Sequence, residues 1–396
     1  MKLTYDVLLH IISLFPYAEN AVHLMATCRV LYHAGAKIAL RKPIIIKNSE
    51  QLTSFLQFLR AENLSRCQYL KNLELGTCGK DEDEIHDLLD TIPRLVNIEC
   101  LSLSHAEDVL EPDRALPAAF ATLKTLRYLQ LPGVVTAGVT LLSLLRSPLT
   151  SADIDFTSAD GSDVWSHLDP DQLAEFHPVT LLQNFAATLE ELCCGEWSTV
   201  IEPDIPKIPI YPKMRKLALE HHDSRLRMDP FIQAFPNLTH LHVCPDYYDR
   251  VAEFDMENIR ESHGINVEKQ LASGVGRWAH LEHFSGGLAD FYATGLACPI
   301  RRVTITGIHL VEHEPATEML ATMFRCAQPV HLKLEGLSSS MLEDFDRSFL
   351  AMLRGEGASN LVNLAVSIRF DARDRERDLR DTIVRLYSPR VPLGLG

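Results

Sequence analysis

The 396-residue sequence lacks several features that would define its class. No apolar run reaches the roughly 18 residues of a membrane-spanning helix, so no membrane partner is expected. A formal net charge of −15 leaves no excess of Lys and Arg, which argues against nucleic acid as a partner. The nine cysteines form no regularly spaced, even-numbered set. This fits reduced thiols in the cytoplasm or nucleus better than a secreted disulfide framework.

Motifs that support catalysis are also missing. The sequence has no G-x-S-x-G, no G-x-x-x-x-G-K-[ST] and no G-x-G-x-x-G. His309, Glu312 and His313 spell H-x-x-E-H, a zinc-peptidase pattern that works only on a helix. Here the pattern follows a strand-like segment and precedes Pro315, which is expected to open the next helix, so a loop is predicted. We therefore expect no enzyme activity, no catalytic residue and no cofactor.

Histidines alternate along one strand-like segment. His240, His242 and Cys244 share one face of it, and His283 lies on another such segment. Zinc takes four protein ligands in a structural site, or three and a water in a catalytic one. No C-x-x-C pair accompanies these residues, so we interpret them as solvated histidines and predict no metal site.

What the sequence does contain is a recurring leucine triplet, Leu-x-x-Leu-x-Leu. Copies of it start at Leu70, Ile98, Leu126, Leu189, Met214, Leu238, Ile300 and Leu361. With Ile45 as a first strand, the early copies are evenly spaced at positions 45, 73, 101 and 129. Helical patterns lie between the triplets, such as those that begin at Ser49 and Asp81. A strand and a helix in each repeat of about 24–29 residues indicate a leucine-rich solenoid.

The expected fold class is therefore α/β, with an irregular leucine-rich-repeat horseshoe over residues 42–370. The spacing widens twice, which gives longer insertions near 157–188 and 247–276. A final helical pattern in residues 371–396 is interpreted as a C-terminal cap.

Residues 1–41 favour short helices. Thr4 is a candidate N-cap, Asp6 suits the first turn, and Pro16 ends the helix. Asp6 and His10 within the apolar run favour an amphipathic helix over a signal peptide. About forty residues bury too little to be stable alone, so they pack on something larger. They either cap the array only or also present an apolar face to a separate protein, and spacing leaves both alternatives open.

Residues 3–40 resemble an F-box of the divergent, fungal-type F-box/leucine-rich-repeat family. The residues that match the family pattern are Leu3, Asp6, Val7, Leu8, Ile11, Ile12, Leu14, Cys28 and Arg29. Thr4 stands where the family usually has proline, and Leu31 where it usually has tryptophan.

The resemblance implies a substrate-recognition adaptor of a Skp-cullin-F-box ubiquitin ligase. The residues that would bind the Skp adaptor, and through it the cullin, are Leu3, Val7, Leu8, Ile11, Ile12, Phe15, Cys28 and Leu31. The repeat array and its two insertions would hold an unknown protein substrate. The alternative is a leucine-rich-repeat interaction scaffold without ligase association, in which the helices are only a cap.

Side chains alternate along a strand, so residues between the triplet leucines are expected on the concave face. The substrate-binding residues predicted there are Tyr128, Asp153, Asp155, Glu191, Lys216, Glu220, His240, His242, His283, Arg302, His331 and Lys333. Along the chain this row changes from acidic to histidine-rich and basic. That suits a protein or peptide with complementary charge, although ordinary solvated positions would give the same pattern.

Overall fold

The computed structural model of the chain divides into two compact units, Met1–Leu217 and Ala218–Gly396. The residues that it describes are 4–76, 81–156, 176–197, 199, 207–221, 225–245, 256–272, 276–308, 313–338, 352–353 and 355–369. The predicted C-terminal cap, Leu3 and most of the first insertion lie outside these residues.

Unit 1 begins with three helices, α1 (Tyr5–Leu14), α2 (Ala18–Met25) and α3 (Arg29–Ala39), called the helical segment below. Thr4 has extended backbone at the N-cap of α1, as predicted, but its side chain donates and accepts no capping hydrogen bond. The helix ends before Pro16. The Lys42 ammonium binds the main-chain oxygens of Ile12, Ser13 and Phe15 there, so a cation satisfies carbonyls that the helix leaves unpaired.

Strands and helices then alternate through unit 1. The strands are β1 (Ile44–Ile46), β2 (Asn72–Leu75), β3 (Cys100–Leu103), β4 (Tyr128–Leu131), β5 (Ser151–Asp155) and β6 (Glu191–Trp197). The helices between them are α4 (Ser49–Arg60), α5 (Glu82–Thr91), α6 (Ala106–Leu110), α7 (Leu116–Phe120), α8 (Thr136–Leu144) and α9 (Pro178–Leu181). Each strand pairs in parallel with the next one along the chain. The triplet leucines are buried, so the predicted array of strand–helix repeats is confirmed at this level.

The register of β1 corrects one sequence prediction. Ile44, not Ile45, lies opposite Leu73, and Ile46 lies opposite Leu75. Ile45 therefore stands opposite Glu74 on the solvent side of the sheet. A shift of one residue exchanges the two faces of a strand, and a run of three isoleucines has no alternation from which its register can be read.

Unit 2 continues the alternation. Strand β7 (Lys216–His221) crosses the division, and β8 (His240–Pro245), β9 (Leu281–Gly287), β10 (Ile300–Thr306), β11 (His331–Ser338) and β12 (Asn363–Arg369) follow. Its helices are α10 (Asp229–Ala234), α11 (Met256–Leu271), α12 (Leu288–Ala293) and α13 (His313–Ala327). Strands β8 to β12 also pair in parallel and in chain order.

The second predicted insertion, near 247–276, has a structural role within unit 2. Its described part is mostly α11, whose buried side Ser262, Asn266 and Gln270 occupy at four-residue spacing. Asn266 accepts from the Met228 amide at 2.9 Å and donates to the Leu226 and Ala293 carbonyls at 2.8 Å each. Gln270 donates to the Thr294 and Gly295 carbonyls. These side chains satisfy backbone groups of neighbouring turns, so the buried face of α11 is not available to a substrate.

Candidate functional site

Two apolar strips run along α1. The inner strip is Leu8, Ile12 and Phe15, which pack into the core of the helical segment. The outer strip is Val7, Ile11 and Leu14, at the same helical spacing but rotated toward solvent. Val7 is 43% exposed and Leu14 is 68% exposed, while Ile11 is half-buried. The helix thus buries one strip and leaves the other open.

The helical segment carries an unusual share of exposed apolar side chains. More than half of the large apolar side chains exposed in the described residues belong to it, and they are Tyr5, Val7, Leu14, Tyr17, Val22, Val30 and Tyr32. Scattered exposed leucines are ordinary, whereas exposed apolar residues concentrated in a tenth of the chain make this segment the candidate docking surface.

A groove of about 1070 Å³ lies beside this surface, where α2 and α3 meet the first repeat. Its lining includes Tyr17, Val22 and Tyr32 from the helical segment, and Ile45 and Phe55 from β1 and α4. Three of these side chains also belong to the exposed apolar set. The groove therefore extends the apolar surface onto the repeat array.

Arg66 attaches the helical segment to the array. Its guanidinium packs against two rings, 4.6 Å from the centre of Tyr32 on α3 and 4.3 Å from that of Phe58 on α4. It donates to the Tyr32 hydroxyl, the Phe58 carbonyl and the Glu62 carboxylate. Glu62 also pairs with His33 of α3, and hydrogen bonds from His33 and then Arg66 lower the pKa of Glu62. A buried cation held in this way fixes the orientation of the segment on the first repeat.

The predicted adaptor-binding residues differ in how far they are exposed. Ile12 and Leu31 are buried in the segment's own core, so as placed they cannot touch a partner. Leu8, Phe15 and Cys28 are half-buried against that core, and Val7 and Ile11 lie on the outer strip. Leu3 lies outside the described residues. Sequence reasoning left Leu14, Tyr17 and Val22 off the predicted face because periodicity cannot tell an exposed strip from a buried one.

The solvent face of the unit 1 sheet is acidic. One register row carries Glu74, Ser102, Gln130, Asp153 and Cys193. The Ser102 hydroxyl donates to Gln130 at 2.9 Å, and the Gln130 amide donates to Asp153 at 3.0 Å. Three side chains of this row, Ser102, Gln130 and Asp153, are therefore linked by hydrogen bonds from one strand to the next.

The neighbouring row carries Tyr128 and Glu191. The Glu191 carboxylate accepts from Lys216 at 2.6 Å, and burial, followed by the charge of Asp153, raises the pKa of Tyr128. Asp155 lies opposite Gly195, where the missing side chain leaves room for its carboxylate. The structure thus places the unit 1 residues of the predicted row on solvent-facing positions of the sheet.

The solvent face of the unit 2 sheet is rich in histidine. His240, His283, Arg302, His331 and Asn363 form one register row across β8 to β12. His242, Ser285, Thr304 and Lys333 form the next row. We call His240, His242, His283, Arg302, His331 and Lys333 the histidine face; Glu220 is half-buried on β7.

The histidine face does not assemble a metal site. Within the described residues, no three His, Cys, Asp or Glu side chains are placed to hold a metal ion. The rings of His240 and His283 lie edge to face with centres 6.1 Å apart. Helix α13 begins at His313, while His309 and Glu312 of the peptidase-like pattern lie outside the described residues.

Comparisons with known proteins identify no family for this chain. No family model matches the sequence, and no curated protein matches it. One solved structure similar to the chain is titled "Crystal structure of TLR13-ssRNA13 complex". It is 14% identical, covers 80% of this chain and 35% of that chain, and has a TM-score of 0.33. The chain therefore spans about a third of that chain's length, and the fold assignment rests on the strand order and register given above. No described helix is long and apolar enough to cross a membrane.

Proposed function

We propose that this chain is a substrate-recognition adaptor of a Skp-cullin-F-box type ubiquitin ligase. The helical segment binds the Skp adaptor, and the sheet faces of the repeat array bind a protein substrate. The chain catalyses nothing itself and uses no cofactor; it raises the local concentration of substrate near the ubiquitin-charged enzyme. It acts in the cytoplasm or nucleus.

The observation that carries this proposal is the outer strip of α1. A segment that served only as a cap would turn its apolar side chains toward the array. In this structure Ile12 is buried, but Val7 and Leu14 on the same helix are exposed to solvent. The exposed apolar strip suits a partner helix laid against α1, and the groove along α2 and α3 suits a side chain of the same partner.

The substrate half of the proposal is supported by the two sheet faces. Their polar residues lie on regular strands and are aligned by the register, which gives a rigid array of side chains. The face of unit 1 is acidic and that of unit 2 is rich in histidine. Charged faces of this kind favour a protein partner with complementary charge over one that binds through apolar contacts.

The experiment is co-expression of the full chain with the Skp adaptor, followed by size-exclusion chromatography. We expect a stoichiometric complex that the double variant Val7→Asp plus Leu14→Asp abolishes, with unchanged circular dichroism and melting temperature. The matched control is Val96→Asp plus Leu144→Asp, because these two side chains are also exposed apolar residues of unit 1.

Loss of binding in both double variants would mean that the change of charge, not the outer strip, is responsible. Absence of a complex with a folded, monodisperse wild-type chain would reject the ligase role. The helical segment would then be a cap on a leucine-rich interaction scaffold.

A further inference from the structure

Two adjacent rows of side chains cross the solvent face of unit 2 without a single carboxylate among them. From β8 to β12, the first row is His240, His283, Arg302, His331 and Asn363, and the second is His242, Ser285, Thr304, Lys333 and Ala365. The whole chain has a net charge of −15. The composition of the chain therefore does not explain a surface made only of neutral and potentially cationic groups.

Some side chains of this face form hydrogen bonds with each other, and these bonds leave part of their donor capacity unused. The Nδ1 atom of His242 pairs with the Ser285 hydroxyl at 2.9 Å, and the Nδ1 atom of His331 pairs with the Asn363 amide at 2.8 Å. Among the described residues, the Nε2 atom of neither ring has a hydrogen-bond partner. Within the described part of the chain, Arg302 forms no ion pair although its side chain is exposed. Apart from Lys333, which is paired with Glu335, the face thus presents donors for which the described residues supply no acidic partner.

Two carboxylates of the described strands near the face are already paired. Glu335 accepts from Lys333 at 2.5 Å, and Glu282 lies 3.6 Å from Arg301 and 3.8 Å from His280. Besides the two rows themselves, the charged and titratable residues of strands β7 to β12 are Lys216, Glu220 and His221 on β7, Cys244 on β8, Glu282 on β9, Arg301 on β10, Glu335 on β11 and Arg369 on β12. Among the described residues, no carboxylate forms an ion pair with Arg302 or with His240, His242, His283 or His331.

We propose that the histidine face binds an extended, carboxylate-rich peptide segment of a partner protein. This inference rests on the proposed function in that it names the class of substrate for the sheet face. Five strands about 4.8 Å apart span about 19 Å, which is the length of about six extended residues. A peptide that crosses the strands along the rows meets His240, His283, Arg302 and His331 in turn, and each can donate to a carboxylate.

The affinity of such a surface for carboxylates should rise as the pH falls, because histidine becomes positively charged near pH 6.5. Burial is the main cause that lowers the pKa of His283, followed by the charges of His240, Arg302 and His242. A bound carboxylate opposes this lowering, so peptide binding and proton uptake favour each other. Both effects predict tighter binding below neutral pH.

The test uses the full chain without the Skp adaptor and a fluorescent peptide of about six glutamates, with anisotropy read at about pH 6 and about pH 8. Both values lie above the isoelectric point of about 5.6, so the chain keeps its net negative charge. We expect about tenfold tighter binding at the lower pH. Arg302→Gln should weaken binding about fivefold at both pH values. The triple variant His240→Gln, His283→Gln and His331→Gln should remove the pH dependence.

Lys71→Gln is the matched control for Arg302→Gln, because it also removes one exposed cation but lies in unit 1. It should bind the peptide as the wild type does. Equal loss in this control, equal binding of a polyglutamine peptide, or tighter binding of a uridine oligonucleotide would each overturn the proposal. Co-purification of the histidine variants with the Skp adaptor separates the two proposals, since these changes should leave it intact.

Discussion

The guanidinium group of Arg66 lies 4.6 Å from the centre of the Tyr32 ring and so joins the first repeat to the helical segment. The Phe58 ring lies 4.3 Å from the same group and meets the Tyr32 ring edge to face, and the Arg66 side chain is almost fully buried. The candidate docking surface is therefore positioned by one buried cation and not by apolar contact alone.

Arg66→Ala should loosen the helical segment before it affects the sheet. The substitution removes two cation–ring contacts and three hydrogen-bond partners, and a cost of about 2–4 kcal/mol in the stability of the segment is expected. Hydrogen exchange followed by mass spectrometry should show faster exchange in α1 to α3 with little change in β3 to β5. Tyr32→Phe keeps the ring and loses one hydrogen bond, so it should cost less than about 1 kcal/mol. Uniformly faster exchange in Arg66→Ala would contradict a local role for this residue.

Asn266→Ala should destabilise unit 2 although it removes no apolar group. It leaves the Met228 amide and the carbonyls of Leu226 and Ala293 without their partner in a buried site. Each unsatisfied buried group costs about 1 kcal/mol or more, so the free energy of unfolding should fall by about 2–4 kcal/mol. Urea unfolding followed by circular dichroism measures this. Glu268→Ala, on the exposed side of the same helix, should change stability by less than about 0.5 kcal/mol.

Acid should destabilise unit 1 through His177. Burial lowers the pKa of this side chain to about 3, whereas histidine in the unfolded chain titrates near 6.5. Between these values the unfolded state binds one more proton, so stability falls as the pH falls. The slope contributed by this residue is about 1.4 kcal/mol per pH unit, and its full contribution is present above about pH 6.5.

The variant His177→Asn isolates this contribution. His177 accepts from the Val179 amide at 3.2 Å at the start of α9, and asparagine can accept the same hydrogen bond. Denaturant unfolding at several pH values should show a flatter acid limb for the variant. His86→Gln removes an exposed histidine and should leave the wild-type slope unchanged. If His177→Asn kept that slope too, other groups would be responsible for the acid sensitivity.

The repeat array was predictable because its signal is local. Each triplet places leucines at alternate positions of a short strand, and the burial of Leu101 and Leu103 or of Leu217 and Leu219 follows from that alternation alone. The same alternation predicts that the histidine face is exposed to solvent, since His240 and His242 lie between apolar residues that point inward. Which residues share a row was then fixed by the register of neighbouring strands.

Features that depend on tertiary context were missed. Three of the four buried residues of α11 are polar, so apolar periodicity does not identify Ser262, Asn266 and Gln270 as interior residues. Val7 and Ile12 look alike in sequence, and only the packing of α1 on α2 and α3 exposes the first and buries the second. The pairing of Arg66 with Tyr32 joins residues 34 positions apart and has no sequence pattern.

Glu107 should hold consecutive repeats together through the start of α8. The N-cap residue of that helix is Val135, whose side chain cannot accept a hydrogen bond, so its first amides need another partner. The Glu107 carboxylate on α6 accepts from the amides of Val135 at 2.6 Å, Ala137 at 3.0 Å and Gly138 at 2.8 Å. A side chain of the preceding repeat thus caps the helix of the next.

Glu107→Ala should therefore lower the free energy of unfolding by about 1–3 kcal/mol, measured by urea denaturation. Glu107→Gln should lower the free energy of unfolding by less than Glu107→Ala. It loses the negative charge that complements the helix N-terminus, but its remaining acceptor oxygen can still cap the helix. Glu111→Ala removes an exposed carboxylate one turn further along and should cost almost nothing. Equal losses in Glu107→Ala and Glu111→Ala would mean that negative charge in this region, and not the capping hydrogen bonds, stabilises the junction between the repeats.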